Sequence, residues 1–268
     1  LAGLIGYDYF FQVMMDKYTN SIEQYNDTVP FTYMSKYVLT EHYHKQYNNV
    51  YEKGALINMC LDIMLRYYSD GKYGTQELMR DLAKKYGKDK SFKDSDLFND
   101  IEKLTYPEIR KFLDEHVAGR KPLPMVEVFK MVGLDLIKER ETETITLGGF
   151  GIGYNDSTKR LVVIDIYEID EFGKQFKYKV GDELYSFNNR LLTLDNAREV
   201  VGDFMATTQV GDKLVIEVYR KDKKGKYKLK KLSGKVKKVK VIEKNIIDVS
   251  KNPTDKQITA RRTWLGIE

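Results

Sequence analysis

The side chains able to hold a metal ion are few. Histidine occurs three times, at His42, His44 and His116, and cysteine once, at Cys60. The chain contains no His-Glu-x-x-His, the helical pair that grips catalytic zinc with a base beside it. Glu41-His42-Tyr43-His44 is the one local histidine cluster. Residues two apart do not share a helix face, so the pair reads as solvent-facing or structural, with a metal site as the alternative. One cysteine excludes an internal disulfide framework and a Cys-rich zinc module. No metal ligand is therefore assigned within this chain. The run Leu147-Gly148-Gly149-Phe150-Gly151-Ile152-Gly153 could cradle a phosphate, but it fails as a dinucleotide fingerprint. A turn at Tyr154-Asn155-Asp156-Ser157 and a short apolar run follow it, where the fingerprint demands a helix.

These candidates sit in two kinds of sequence. Up to about residue 137 the pattern is helical. Residues 51–68, opening on Tyr51-Glu52-Lys53-Gly54, are apolar on nearly every face, as a central buried helix requires. Thr75 then reads as an N-cap, with Glu77 in the first turn, Leu78, Leu82 and Tyr86 at i, i+4 and i+8, and Gly87 as the stop. Pro107 suits a first helical position, with Ile109, Phe112, Leu113 and His116 on one face. A short helix near 124–131 ends at Gly133.

From about residue 141 the pattern changes to short β-branched runs at 161–166 and 214–219, parted by Gly181-Asp182 and Gly211-Asp212 turns. One helix, at about 194–207, interrupts them. The expected architecture is multi-domain α+β. Residues 1–140 form an all-α module, 141–245 a small β-rich domain and 246–268 a tail, with the boundary in the charged stretch 138–143. The lone tryptophan, Trp264, is expected to dock on something.

At 268 residues, 42% hydrophobic and 32% charged, the chain has an ordinary globular balance, which excludes wholesale disorder. No stretch approaches the ~20 apolar residues of a membrane span. The net charge of +5 hides an uneven distribution: residues 220–244 hold thirteen basic and two acidic residues, and their +11 leaves the rest at −6. Lysines there alternate with apolar residues, the pattern of a hairpin with one wet face, turning near Ser233-Gly234. Such lysines also protect a sheet edge. Nucleic acid or an anionic surface is the alternative for this run, but it has no arginine after Arg220 and one aromatic, Tyr227, so no nucleic-acid partner is assigned.

The segment Y-E-K-G-A-L-I-N-M-C-L-D-I-M-L-R from Tyr51 resembles the helix of gluzincin metallopeptidases that bears the catalytic tyrosine. The closest resemblance is to the glycyl aminopeptidase family, where a thermolysin-like catalytic domain precedes a PDZ domain. Ser35-Lys36-Tyr37 is similar too. The resemblance implies that the helical module is the C-terminal half of such a catalytic domain, and that Tyr51 donates a hydrogen bond to the oxyanion of the tetrahedral intermediate. A preorganised donor of that kind is typically worth on the order of 10²–10³ in turnover. The alternative makes Tyr51 a partly buried aromatic in a module that holds fourteen of the chain's twenty tyrosines before residue 107. The family's zinc ligands, a His-Glu-x-x-His pair and a later Glu, precede the tyrosine helix. Together with an opening Leu1-Ala2-Gly3-Leu4 that is no signal peptide, this implies a fragment of a longer exported bacterial enzyme. Zinc would belong to the missing N-terminal half, the address would be extracytoplasmic, and this chain alone would be inactive.

Gly149-Phe150-Gly151-Ile152 resembles the carboxylate loop of PDZ domains, whose backbone N–H groups grip a peptide terminus while the next strand accepts an added peptide strand. Val180-Gly181-Asp182 and Val210-Gly211-Asp212 resemble further PDZ landmarks. The resemblance makes the helix near 194–207 the opposite groove wall, with Ala197 and Val201 facing the peptide. The bulky stretch 172–180 departs from the usual small, Ala-rich approach to the Gly-Asp turn. The expected partners are thus a peptide substrate or terminus and the chain's own missing half. A non-catalytic PDZ-type interaction protein is the alternative, and a glycine-rich hairpin that binds nothing is the plainest one.

Overall fold

Helix α3 (Tyr47–Tyr68) organises one of the two compact units into which the chain divides. The structure is a computed structural model that describes residues 5–87 and 90–267; residues 1–4 of the sequence's opening lie outside it. Unit 1 comprises Leu1–Arg140 and Lys244–Glu268, and unit 2 comprises Glu141–Glu243.

In unit 1, Leu56, Cys60, Ile63 and Leu65 of α3 are wholly buried. Around α3 pack α1 (Tyr7–Glu23), α2 (Phe31–Tyr37), α4 (Thr75–Tyr86), α6 (Pro107–Phe112), α7 (Met125–Met131) and α9 (Asp255–Leu265). Helix α5 (Asp94–Leu104) packs on α4 and α6. The cap of α4 differs from expectation by one residue. Gly74 is the N-cap and Thr75 is already helical, because Asp62 of α3 accepts hydrogen bonds from the Thr75 N–H (2.7 Å) and hydroxyl (3.1 Å). Gly87, at φ +52°, ends the helix, and Pro107 opens α6.

Residues 246–268 are not a tail. They contribute to a strand and α9, and α9 buries Ala260, Trp264 and Leu265 in the core of unit 1. The Trp264 ring meets Phe10 and Phe11 edge-on at 5.8 and 5.9 Å, with Phe129 at 6.5 Å. The packing follows from chemistry: the chain's largest apolar side chain finds three aromatic rings. Thr254 caps α9, its hydroxyl accepting the Gln257 N–H.

Unit 2 is built on a sheet ordered β2-β3-β4-β6-β7, with β5 (Arg190–Leu191) paired to β4. The strands are β2 (Gly151–Asn155), β3 (Arg160–Asp165), β4 (Glu183–Phe187), β6 (Lys213–Lys221) and β7 (Tyr227–Lys235), all pairs antiparallel. Helix α8 (Ala197–Thr207) sends Val200 and Phe204 into the same core as Leu214, Ile216 and Val218. A helical module and a β-rich unit together make the chain α+β.

Two strands were not legible. β1 (Leu134–Ile145) and β8 (Lys238–Val249) pair with each other, and each crosses from one unit to the other. The charged stretch 138–143 is therefore strand, and the units part between Arg140 and Glu141. The lysine hairpin also turns elsewhere than expected. β6 and β7 are joined by Asp222–Lys226, where Asp222 accepts the N–H groups of Lys224 and Lys226 and Gly225 takes φ +77°. Ser233 and Gly234 lie inside β7. Gly234 is there for room, since a Cβ would come within 2.9 Å of the Phe176 ring. Among the described residues no helix is long and apolar enough to cross a membrane.

Candidate functional site

Tyr51 does not stand at the mouth of its helix. A 3₁₀ turn at His44–Gln46 starts α3 at Tyr47, which puts Tyr51 one turn inside. Tyr47 and Tyr51, four apart, share a face. Their hydroxyls lie 3.3 Å apart and their rings meet edge-on at 5.7 Å. The Tyr51 side of the pair is 61% exposed, so it is not the partly buried aromatic of the alternative reading. The hydrogen bond shared with Tyr47 pushes the Tyr51 phenol above its ordinary pKa. It therefore keeps its proton at neutral pH and stays a donor.

The next three residues bind the helix to its neighbours. Glu52 pairs with Lys17 of α1 at 2.9 Å. Lys53, its side chain 2% exposed, reaches Asp27 in the loop between α1 and α2, contacting carboxylate Oδ1 at 2.7 Å and carbonyl oxygen at 2.8 Å. Gly54 admits Phe31 of α2, whose Cζ would stand 3.2 Å from any Cβ there. Glu52, Lys53 and Gly54 thus lock α1, the loop and α2 onto α3, and Tyr51 alone is left to solvent. Sequence reasoning missed Lys53 and Asp27. The available signal was a lysine at the head of a largely apolar helical run.

The histidines do not converge. His42 meets Tyr43 edge-on at 4.6 Å, and His44 stacks over Tyr47 at 6.4 Å. His116 Nδ1 lies 2.6 Å from the Pro122 carbonyl oxygen, which can only accept, so this nitrogen carries the proton. Among the described residues no group of three His, Cys, Asp or Glu could hold a metal ion. The described residues do not fit a zinc centre.

In unit 2 the glycine run makes a tight turn and then β2. Gly148 and Gly149 hold φ +109° and +65°, where side chains are strained. A Cβ on Gly149 would lie 2.3 Å from the Glu168 carbonyl oxygen, and one on Gly148 would lie 2.8 Å from Gly173 Cα. Asp170 ties the opposing segment down by accepting the N–H groups of Phe172 (2.8 Å) and Gly173 (2.7 Å), while its own N–H donates to the Gly148 carbonyl. The bulky stretch 172–180 also finds its reason, because Phe172, Phe176 and Tyr178 are core residues. Tyr178 packs on Phe150 at 4.3 Å.

Phe150, Ile152, Ala197 and Val201 come together. They line one apolar cavity of about 50 Å³, floored by Leu161, Leu184, Phe187 and Ile216. Gly149 and Gly151 are not in its lining; they shape the turn and the start of the strand. β2 is at the end of the strand order, so its outer edge has no strand beside it among the described residues. Ile152 is 47% exposed on that edge. An edge strand, a helix wall and an apolar hole for one small aliphatic group can together accept an extended peptide.

A crystal structure of an aminopeptidase N family protein from Idiomarina loihiensis aligns with 98% of this chain at 20% identity and a TM-score of 0.48, and the chain spans 45% of that protein's length. No family model matches the chain, and the comparison with curated proteins finds no match.

Proposed function

We propose that this chain is the C-terminal part of a zinc-dependent aminopeptidase resembling the glycyl aminopeptidase family. Unit 1 supplies the helical half of the catalytic domain and unit 2 a PDZ-like domain that binds a peptide terminus. The observation that carries the peptidase reading is the presentation of Tyr51. Its neighbours Glu52, Lys53 and Gly54 are each held by a different element, while its protonated hydroxyl faces solvent. A side chain presented from so fixed a stretch of backbone needs little rearrangement to meet a developing oxyanion, which is what preorganised stabilisation requires. Zinc and its ligands belong, on this reading, to residues outside this chain.

The test is Tyr51→Phe in the longer protein, assayed on amino-acid p-nitroanilides. kcat should fall on the order of 10²–10³, with the melting temperature unchanged because the lost hydroxyl is exposed. A kcat equal to the parent's would end the proposed role.

A second reading, a peptide-binding module without catalysis, is favoured by the groove of unit 2. Edge strand β2, the glycine turn and α8 frame an apolar cavity irrespective of what unit 1 does. Titration of C-terminal peptides ending in small aliphatic residues tests it. Val201→Trp, which fills the cavity, should abolish binding, and parent-like binding by that variant would refute the groove.

A further inference from the structure

Unit 2 is strongly polarised along its sheet. Residues 141–219 carry a net charge of −6, and residues 220–243 carry +10. That positive charge gathers on the β6–β7 hairpin, at the edge of the sheet opposite β2, and around the start of β8, which belongs to a separate two-stranded sheet. Within the hairpin, residues 223–231 are all exposed. Register explains why both faces are charged. Lys228 and Lys230 stand opposite Arg220 and Val218, on the face that buries Val218, while Lys231 and Lys235 stand opposite Glu217 and Lys213 on the other. The core thins out before the hairpin ends, so a basic finger results.

Most of this charge is not neutralised internally. Lys228 pairs with Asp222, Lys237 with Glu171 and Lys240 with Glu141. Among the described residues, Lys223, Lys224, Lys226, Lys230, Lys231 and Lys235 have no carboxylate partner within ion-pair distance. We infer that this finger docks unit 2 on an anionic lipid surface. Lysines suit such a surface, where their long stems let each ammonium reach the headgroup layer. Leu229, 45% exposed between Lys228 and Lys230, adds an apolar side chain at the headgroup boundary.

Nucleic acid fits the finger less well, because the groups it would use are already engaged. Arg220 grips buried Asp182 through Nε and Nη2, each at 2.6 Å. Tyr227, the one aromatic of the hairpin loop and β7, donates its hydroxyl to Glu183 at 2.6 Å, and the Lys221 ammonium covers its ring at 5.0 Å. That leaves one ring already covered on one face, where single-strand binders stack successive bases on several open aromatics. The geometry also leaves room for the peptide groove. Four strand spacings of about 4.8 Å separate β7 from β2, roughly 19 Å, so a docked finger does not cover β2. The inference does not depend on the peptidase reading.

The test is co-sedimentation of the 268-residue chain with vesicles of phosphatidylcholine alone and of phosphatidylcholine containing phosphatidylglycerol. Binding is expected to the anionic vesicles only, and to weaken as salt rises from about 0.05 to about 0.3 M. Each lysine near such a surface contributes about fivefold. Lys224→Gln, Lys226→Gln, Lys230→Gln and Lys231→Gln combined should therefore lower the partition coefficient at least ~100-fold. The same four positions changed to Arg should keep binding within about threefold, since charge is retained. Equal binding to phosphatidylcholine alone, or parent-like binding by the Gln variant, would overturn the proposal. So would displacement of the vesicles by a lower concentration of single-stranded oligonucleotide, which would assign the finger to nucleic acid.

Discussion

The Lys53–Asp27 pair invites a direct measurement. Removing Asp27 leaves an ammonium in a site that exposes 2% of its side chain, with only the residue-27 carbonyl to accept from it. Breaking a buried pair from one side typically costs 3–5 kcal/mol. The retained carbonyl puts Asp27→Ala near the lower end, about 3 kcal/mol. Lys53→Met removes the charge and keeps the bulk, and the remaining carboxylate, 17% exposed, can hydrate. That variant should cost about 1–2 kcal/mol. Adding Lys53→Met to Asp27→Ala removes the stranded charge, so the double variant should be more stable than Asp27→Ala alone. Trp264, the only tryptophan, lies in the core of unit 1, so its fluorescence in a urea titration reports on that unit. For a unit of this size, 3 kcal/mol corresponds to roughly 6–12 °C in melting temperature. A double variant less stable than Asp27→Ala, or an Asp27→Ala cost below about 1 kcal/mol, would refute the view that a buried ammonium clamps the loop.

Gly149→Ala places a Cβ against the Glu168 carbonyl oxygen at a backbone angle of +65°. It should destabilise unit 2 by about 1–3 kcal/mol and weaken peptide binding, while the Trp264-reported transition of unit 1 stays where it was. Calorimetry resolves the two, and an unshifted unit 2 transition would contradict the close approach. Burial pushes the Cys60 thiol up from 9.0 to about 12. Below pH 9 both folded and unfolded chains hold this proton and its contribution is complete; above pH 9 only the folded chain does. Unit 1 should therefore lose up to about 1.4 kcal/mol per pH unit between pH 9 and 12 through this group. Cys60→Ala removes that part of the slope, and identical slopes in the two proteins would show that the thiol is not desolvated.

What the sequence disclosed follows from how local each cause is. The 51–68 helix was legible because its apolar residues repeat within single turns, and the Gly181 and Gly211 turns because positive φ selects glycine residue by residue. The start of α3 escaped, since its N-cap, Gln46, makes no side-chain capping bond and the helix grows out of a 3₁₀ turn. Ser233-Gly234 looked like a turn because a glycine that makes room for Phe176, nearly sixty residues away, has the same letter as one that bends the chain. The β1–β8 pair was illegible for the same reason, as its strands are about a hundred residues apart. At the site, Phe150, Ile152, Ala197 and Val201 were named together and do share a cavity. The exposure of Tyr51 was not legible, because it depends on where α1 and α2 leave off.

The order of elements along the chain has a consequence for synthesis. Unit 2 is an insertion: β1 leads into it, β8 leads out, and α9 follows. A ribosome working at ~5–20 residues per second must make all of unit 2 after α7 has emerged and before α9 appears. For that interval, on the order of ten seconds, Phe10, Phe11 and Phe129 have no Trp264 to cover them. Unit 2 needs nothing made later than β8 and can fold first. The helical half of the molecule, begun first, is then completed last, and it is the part a nascent-chain chaperone would have to shield.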